Sequence, residues 1–291
     1  MSLDVRTREY KQFVESFLHD WYSRFHNEPQ NKLFEAMEYS LLAGGKRLRP
    51  IFAFEFCRMC GVDWKNAVPF AAAIEMIHTY SLIHDDLPCM DDDDYRRGRL
   101  TNHKVFGEAM AVLAGDALLT DAFAVAATAN LPSQSNMGFA ISVLSECAGS
   151  LGMVGGQVLD IMSEERSCTE EEVIAIQSRK TGALINAACV LGAVAGGAND
   201  EQMAAASRFA GALGLAFQIR DDMLDQIGTQ EEMGKGVRTD EAKNTFVRIY
   251  GLEKCEELVQ RYTNVAIEAL SVFEDTEYMI HLAKSLTERR V

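Results

Sequence analysis

The sequence predicts an all-α fold: one domain over residues 1–291, built as a helical bundle. Two observations predict it. Long stretches rich in Ala, Leu, Glu and Met are divided by short Gly, Asn or Pro breaks, while strand-like alternation is scarce. All five prolines (29, 50, 69, 88, 132) also fall in the first half. The composition, 48% hydrophobic and 24% charged, is that of a soluble globular chain and too apolar for disorder. Roughly ten helices are expected, with no convincing strand, no repeat and no linker.

The elements can be justified in order. "FAVAATANLPSQSNMGFAISVL" is interrupted by Pro132 and a polar cluster, so it predicts two helices and a turn. In "CTEEEV", Thr169 and Glu172 have capping-box spacing ahead of an apolar run. "TGALINAACVLGAVAGGAN" carries no charge from 181 to 199, which is enough length to span a bilayer. It is built from Ala, Gly and Asn, and polar helices flank it, so a buried helix is expected and no membrane span. Asn199 or Asp200 should cap a helix continuing to about Asp225. "GLEKCEELVQRYTNVAIEALSVF" is periodic and amphipathic.

A net charge of −15 argues against a nucleic-acid or anionic-membrane surface, since both need clustered Lys and Arg. Seven cysteines, odd in number and scattered, with no secretory signal ahead of them, point to a cytoplasmic protein. Cys57 and Cys60 form a CxxC without the strand–helix context of a redox pair or the second ligand pair of a zinc site. They are expected to be packed, unbridged thiols.

Residues 85–94 hold six aspartates in ten positions, directly after an apolar helix. Pro88 must break that helix, letting Asp91 turn back towards Asp85 and Asp86. Far downstream, "FQIRDDMLD" places Asp221 and Asp225 one turn apart on one face, beside Asp222. Like charges so arranged, at C-terminal helix ends, repel one another and the dipole. Either cluster alone could be a solvated helix end; together they suggest a shared cation. Oxygen ligands without His or Cys point to a hard ion such as Mg²⁺, which completes its shell with phosphate oxygens.

Cationic partners for phosphate lie close by. "GGKRLRP" offers Lys46, Arg47 and Arg49 behind Gly44 and Gly45, where backbone and long side chains can converge on an anion, or form a solvated basic turn. Arg96 and Arg97 follow the first aspartates, Lys180 and Thr181 stand in "RKTGAL", and Lys235 stands in "MGKG". His78 shares a helical face with Asp85, although a lone histidine there is more often a core residue.

"GGKRLRP", "HTYSLIHDDLPCMDDDDYRRGR", "LAGDALLTDAF", "GGQVLD", "KTGALI", "FQIRDDMLD" and "MGKG" occur in the order and spacing of the trans-isoprenyl diphosphate synthases. Over residues 5–290 the chain resembles that family, and within it the bacterial enzymes that make farnesyl diphosphate. The resemblance implies a bundle around a deep central cavity, with the two Asp-rich helices facing each other across its mouth. It implies that Asp85 and Asp91, supported by Asp86, and Asp221 and Asp225 bind about three Mg²⁺ ions. Those ions, with Arg96, Lys180, Thr181, Gln218, Asp222 and Lys235, would hold an allylic diphosphate, dimethylallyl or geranyl. Gly45, Lys46, Arg49, His78 and Arg97 would hold isopentenyl diphosphate without metal.

Under the same resemblance, ionisation of the allylic C–O bond is followed by attack of the isopentenyl alkene and loss of a proton to the released diphosphate. Lys180, Thr181 and Gln218 would stabilise the carbocation. Tyr80, five residues before Asp85 and so roughly 7.5 Å deeper along the helix, would with Ser81 form the floor that limits the product to fifteen carbons. Twenty carbons is the alternative. A homodimer is also implied. Two departures stand out: Arg220 occupies a position where a neutral residue is commoner, and Lys243 aligns only approximately. A terpene cyclase would lack the second DDxxD and have no use for "GGKRLRP". A di-iron bundle needs two ExxH pairs, and only "EMIH" (75–78) is present. A non-catalytic subunit would have eroded aspartate motifs, whereas these are complete.

Overall fold

A computed structural model describes residues 3–132, 136–164, 166–227 and 245–289. Among the described residues the chain forms thirteen α-helices and a single two-stranded hairpin. The all-α expectation therefore holds. The chain divides into two compact units, Met1–Ile141 with Val194–Gly197, and Ser142–Ala193 with Ala198–Val291.

In the first unit, α1 (Leu3–Ser23), α2 (Asn31–Leu41), α3 (Leu48–Met59) and α6 (Glu108–Ala126) pack around α4 (Val68–Asp85). A five-residue α5 (Asn102–Phe106) precedes α6. Helix α4 is apolar almost all round, as a central helix must be: Val68 and Phe70 to Ile77 are all buried. Pro69 sits in its first turn, where the missing N–H is no loss. Tyr10, Phe54 and Trp64 cluster with ring centroids 4.9–5.2 Å apart. The Tyr10 hydroxyl donates to Glu55 at 2.5 Å, and Arg58 pairs with the same buried carboxylate at 2.8 Å.

Two-residue strands β1 (Tyr95–Arg96) and β2 (Arg99–Leu100) form the hairpin that the sequence reading missed. Its loop residues, Arg97 (φ 53°) and Gly98 (φ 74°), both have positive φ, the backbone of a type I′ turn. An X-Gly pair between two short flanks was the available signal, but strands this short carry no alternation.

Helix α7 (Asn136–Ala148) follows the break at Pro132, as expected, and straddles the boundary between the units. The second unit continues with α8 (Met153–Ser163), α9 (Glu170–Gln177), α10 (Ala183–Ala195), α11 (Asp200–Ile227), α12 (Phe246–Ala269) and α13 (Glu277–Thr287). The predicted caps are present. Thr169 and Glu172 form the reciprocal capping box, and Asn199 accepts from the Gln202 amide at 2.9 Å. The uncharged run at 181–199 contains the largely buried α10. Gly251 (φ 74°) breaks α12 where the amphipathic segment was expected to begin. Val173, Ile219, Met223, Phe246, Val247, Cys255 and Val259 form a core that ties α9, α11 and α12 together. None of the seven cysteines is in a disulfide. By length and composition alone, α6 and residues 136–163 are apolar enough to cross a membrane.

Candidate active site

In the first unit a pocket of guanidinium groups forms where the loop before α3 meets α4. Gly44 (φ 82°) and Gly45 (φ 138°) adopt backbone that a side chain would strain, and the Arg97 guanidinium donates to the Gly44 carbonyl. A Cβ on Gly45 would stand 3.0 Å from Arg97 Cζ, so the second glycine admits that close approach. Arg49 has its Nε buried without a hydrogen-bond partner. Burial holds the His78 imidazole well below its ordinary pKa, and Arg49, Arg97, Arg47 and Arg96 push the same way. The ring is neutral here, a hydrogen-bonding group rather than a cation. Buried guanidinium with an unmatched donor is what an anion would satisfy. Arg49, His78, Arg97 and Gly45 are thus brought together as expected, with Lys46 exposed on the same loop.

Arg47 corrects the reading of that loop. Instead of converging on an anion it turns inward at φ 52°, donates to Glu75 at 2.6 Å and Glu15 at 3.0 Å, and closes on the Leu41 carbonyl. It is a buried brace, with Glu75 as its counter-charge.

Helix α4 ends at Asp85, three residues before Pro88. The chain then turns back, and the Asp91 amide donates to the Asp85 carbonyl at 2.8 Å. This return is the one expected of the proline break, and it brings the two residues to one place. Asp86 is buried and paired with Arg96 at 2.6 Å. Burial raises its carboxyl to about 6, although Arg96 pulls the other way. The three aspartates with no role in the sequence reading now separate. Asp93 also reaches Arg96 at 3.4 Å, Asp94 pairs with Lys104 at 2.7 Å, and both give carbonyls to Thr101. Asp93 and Asp94 brace the hairpin that carries Arg96 and Arg97. Asp92 takes up the turn with φ 53°.

Tyr80 is 6% exposed, with its phenol pushed up to about 12 by burial and then by Asp85. Its ring meets His84 edge-on at 5.6 Å. Ser81 donates back to the His78 carbonyl at 2.9 Å.

In the second unit, Ser178–Gly182 is a π-helical turn between α9 and α10, a widening often found at functional sites. It carries Lys180 and Thr181. Two glycines hold it tightly. A Cβ on Gly156 of α8 would overlap the Lys180 backbone, and one on Gly214 of α11 would lie 3.4 Å from Gly182 Cα. The Lys180 ammonium pairs with Asp160 at 2.6 Å. "GGQVLD" therefore supplies both the glycine that admits the turn and the aspartate that holds its lysine, roles the motif alone did not reveal.

On α11, Gln218 donates to Asp222 at 3.0 Å, and Asp222 accepts from the Phe246 amide at 2.8 Å. Asp222 thus caps the start of α12. Asp221 pairs with Arg289, whose guanidinium also lies 4.7 Å over the Phe217 ring. Asp225 is exposed one turn on. Arg220, the departure noted in this motif, is buried and pairs with Glu256 at 2.8 Å. Arg289 was missed, and no local pattern could have flagged it. Lys235 and Lys243 lie outside the described residues.

For a hard divalent cation the donors fit in kind: carboxylate oxygens, with Asp85 and Asp91 drawn together by the backbone. Among the described residues no three acidic, His or Cys side chains already form a cage. Mg²⁺ does not require one, since it takes one or two carboxylates and completes its shell with water and phosphate.

The polyprenyl synthetase family matches residues 30–280. The chain is 47% identical over 247 residues to a chloroplastic geranylgeranyl pyrophosphate synthase of Catharanthus roseus, covering 84% of this chain and 69% of that one. It is 45% identical over 247 residues to a farnesyl diphosphate synthase of Micrococcus luteus, with 84% of each chain covered. A crystal structure of an FPP/GFPP synthase from Zymomonas mobilis superposes with a TM-score of 0.88 at 35% identity, covering 98% of both chains. An all-α enzyme of diphosphate chemistry is the class these features define. This chain belongs to the polyprenyl synthetase family, and its activity is prenyl transfer that elongates a trans-isoprenoid chain.

Proposed function

We propose that the chain, acting as one catalytic domain over residues 1–291, condenses isopentenyl diphosphate with dimethylallyl or geranyl diphosphate and releases farnesyl diphosphate. Tyr80 carries this reading: a buried aromatic side chain five residues before Asp85, where it would stop the growing hydrocarbon. The test is the product of Tyr80→Ala. Elongation to twenty carbons or more supports the floor, and an unchanged fifteen-carbon product removes it. Geranylgeranyl diphosphate is the second reading, favoured by the match to the Catharanthus roseus enzyme.

Isopentenyl diphosphate is assigned to Gly45, Lys46, Arg49, His78 and Arg97, where the buried Arg49 Nε lacks a partner. The allylic diphosphate is assigned to Arg96, Lys180, Thr181, Gln218, Asp222 and Lys235. Asp85, Asp86, Asp91, Asp221 and Asp225 would hold Mg²⁺, which when bound supplies charge stabilisation to the departing diphosphate. Arg96 and Lys180 add fixed positive charge for that leaving group, exchanging their present carboxylate partners for its oxygens. Thr181 and Gln218 present side-chain oxygens to the carbocation. Arg49 and Arg97 orient the second diphosphate so that its alkene can attack, and neutral His78 contributes a hydrogen bond without competing for the proton. Tyr80 and Ser81 close the apolar end.

The enzyme is further assigned to the cytoplasm, in keeping with seven cysteines outside any disulfide, without a membrane span, and to a homodimer. Exposed Val112 and Leu113 on α6 and Phe139 on α7 are apolar surface that a second copy would cover. Sedimentation of the purified chain tests the dimer. Turnover by that chain alone tests the reading against a heteromeric enzyme.

A further inference from the structure

We propose that His84 and Gly115 determine product length by fixing the Tyr80 ring. The proposal rests on the reading of Tyr80 as the floor of the hydrocarbon cavity. Tyr80 and His84 are one turn apart on α4, and their rings meet edge-to-face at 5.6 Å and 77°. His84 does not hold this position by itself. Its Nε2 lies 3.1 Å from the Val112 carbonyl on α6, and the Asp116 carboxylate is 4.0 Å from the same nitrogen. The imidazole lies directly against Gly115, where a Cβ would overlap the ring. Gly115 adopts no positive φ, so its backbone does not require glycine. What requires it is the space the His84 ring fills.

The chain of contact therefore runs from α6 to the floor: Gly115 admits the imidazole, Val112 and Asp116 orient it, and its face or edge sets the tyrosine. An aromatic pair in this arrangement has a preferred geometry, and a buried ring in contact on several sides has few alternative rotamers. A floor residue limits chain length only while its ring stays across the path of the hydrocarbon. His84 is thus a positioning residue for specificity, acting through Tyr80. A Cβ at Gly115 would move the imidazole rather than the backbone, because the His84 side chain is partly exposed, at 28%, and has solvent on one side. Alanine is also the better helix former, so the variant should fold.

The test is the product distribution from geranyl and isopentenyl diphosphates with Mg²⁺, read as the ratio of twenty- to fifteen-carbon product so that changes in turnover cancel. Gly115→Ala and His84→Asn, the second keeping a donor for Val112 while removing the ring, should each raise that ratio about tenfold. His84→Phe, which restores a ring against Tyr80, should bring it back towards the parent. Tyr80→Ala serves as the separate arm. If it lengthens the product while Gly115→Ala and His84→Asn keep the parental ratio, the His84 inference falls and the floor stands. If Tyr80→Ala leaves the product unchanged, the floor reading itself falls. Should Gly115→Ala fail to fold, His84→Asn decides alone.

Discussion

The two aspartate motifs look alike in sequence and are held in different ways. The first spans the end of α4, where the helix stops at Asp85 ahead of Pro88 and a main-chain hydrogen bond returns Asp91 to Asp85. The second lies within α11, where helical spacing alone stacks Asp221 and Asp225. There the restraint comes from distant side chains and main chain: Arg289 on Asp221, and the Phe246 amide on Asp222. A backbone turn fixes ligand positions whether or not a cation is bound. A helix face fixes direction, but leaves its charge to be balanced by partners from elsewhere in the chain. The first motif should therefore be the sturdier half under substitution of neighbours, and the second the more sensitive to them.

The largest effects should come from the ligands themselves, which also measures whether the halves are equal. Asp91→Ala and Asp225→Ala should each lower kcat/KM by about a thousandfold, the loss of several kcal/mol of charge stabilisation. Steady-state rates over a Mg²⁺ series check this; a fall confined to one motif would break the symmetry of roles. Gly156→Ala should follow at about a hundredfold, because its Cβ displaces Lys180, with isopentenyl diphosphate KM nearly unchanged.

A stability contrast comes next. Asp222→Ala leaves the buried Phe246 amide unpaired and should cost about 1–3 kcal/mol in urea unfolding. Asp86→Asn should do the reverse in one window. The folded-state carboxyl sits at about 6, above its unfolded value, so folding retains its proton. That contribution is present at low pH and lost as pH rises through about 6, so stability measured without metal should fall there in the parent and stay flatter in Asp86→Asn. The smallest effect belongs to Arg289→Ala, which frees Asp221 and should lower the Mg²⁺ concentration for half activity by roughly threefold.

What the sequence made legible was local. Caps at Thr169 and Asn199, the break at Pro88 and the turn at Gly44–Gly45 are set by residues within a few positions of each other, and all appear as expected. The cationic pocket was legible as a set but not residue by residue. Three basic positions in "GKRLR" look equivalent until the αL backbone of Arg47 sends one of them inward to Glu75. Arg289 on Asp221 and Gly115 under His84 join residues 68 and 31 positions apart, and no periodicity encodes such contacts.

Condensation by this chain is tested most directly by chromatography of the prenyl alcohols obtained after the purified chain is incubated with geranyl and isopentenyl diphosphates, with and without Mg²⁺, and its products are dephosphorylated. Fifteen-carbon product with Mg²⁺ and none with chelator is the predicted result. No condensation, or condensation that ignores the chelator, would contradict it.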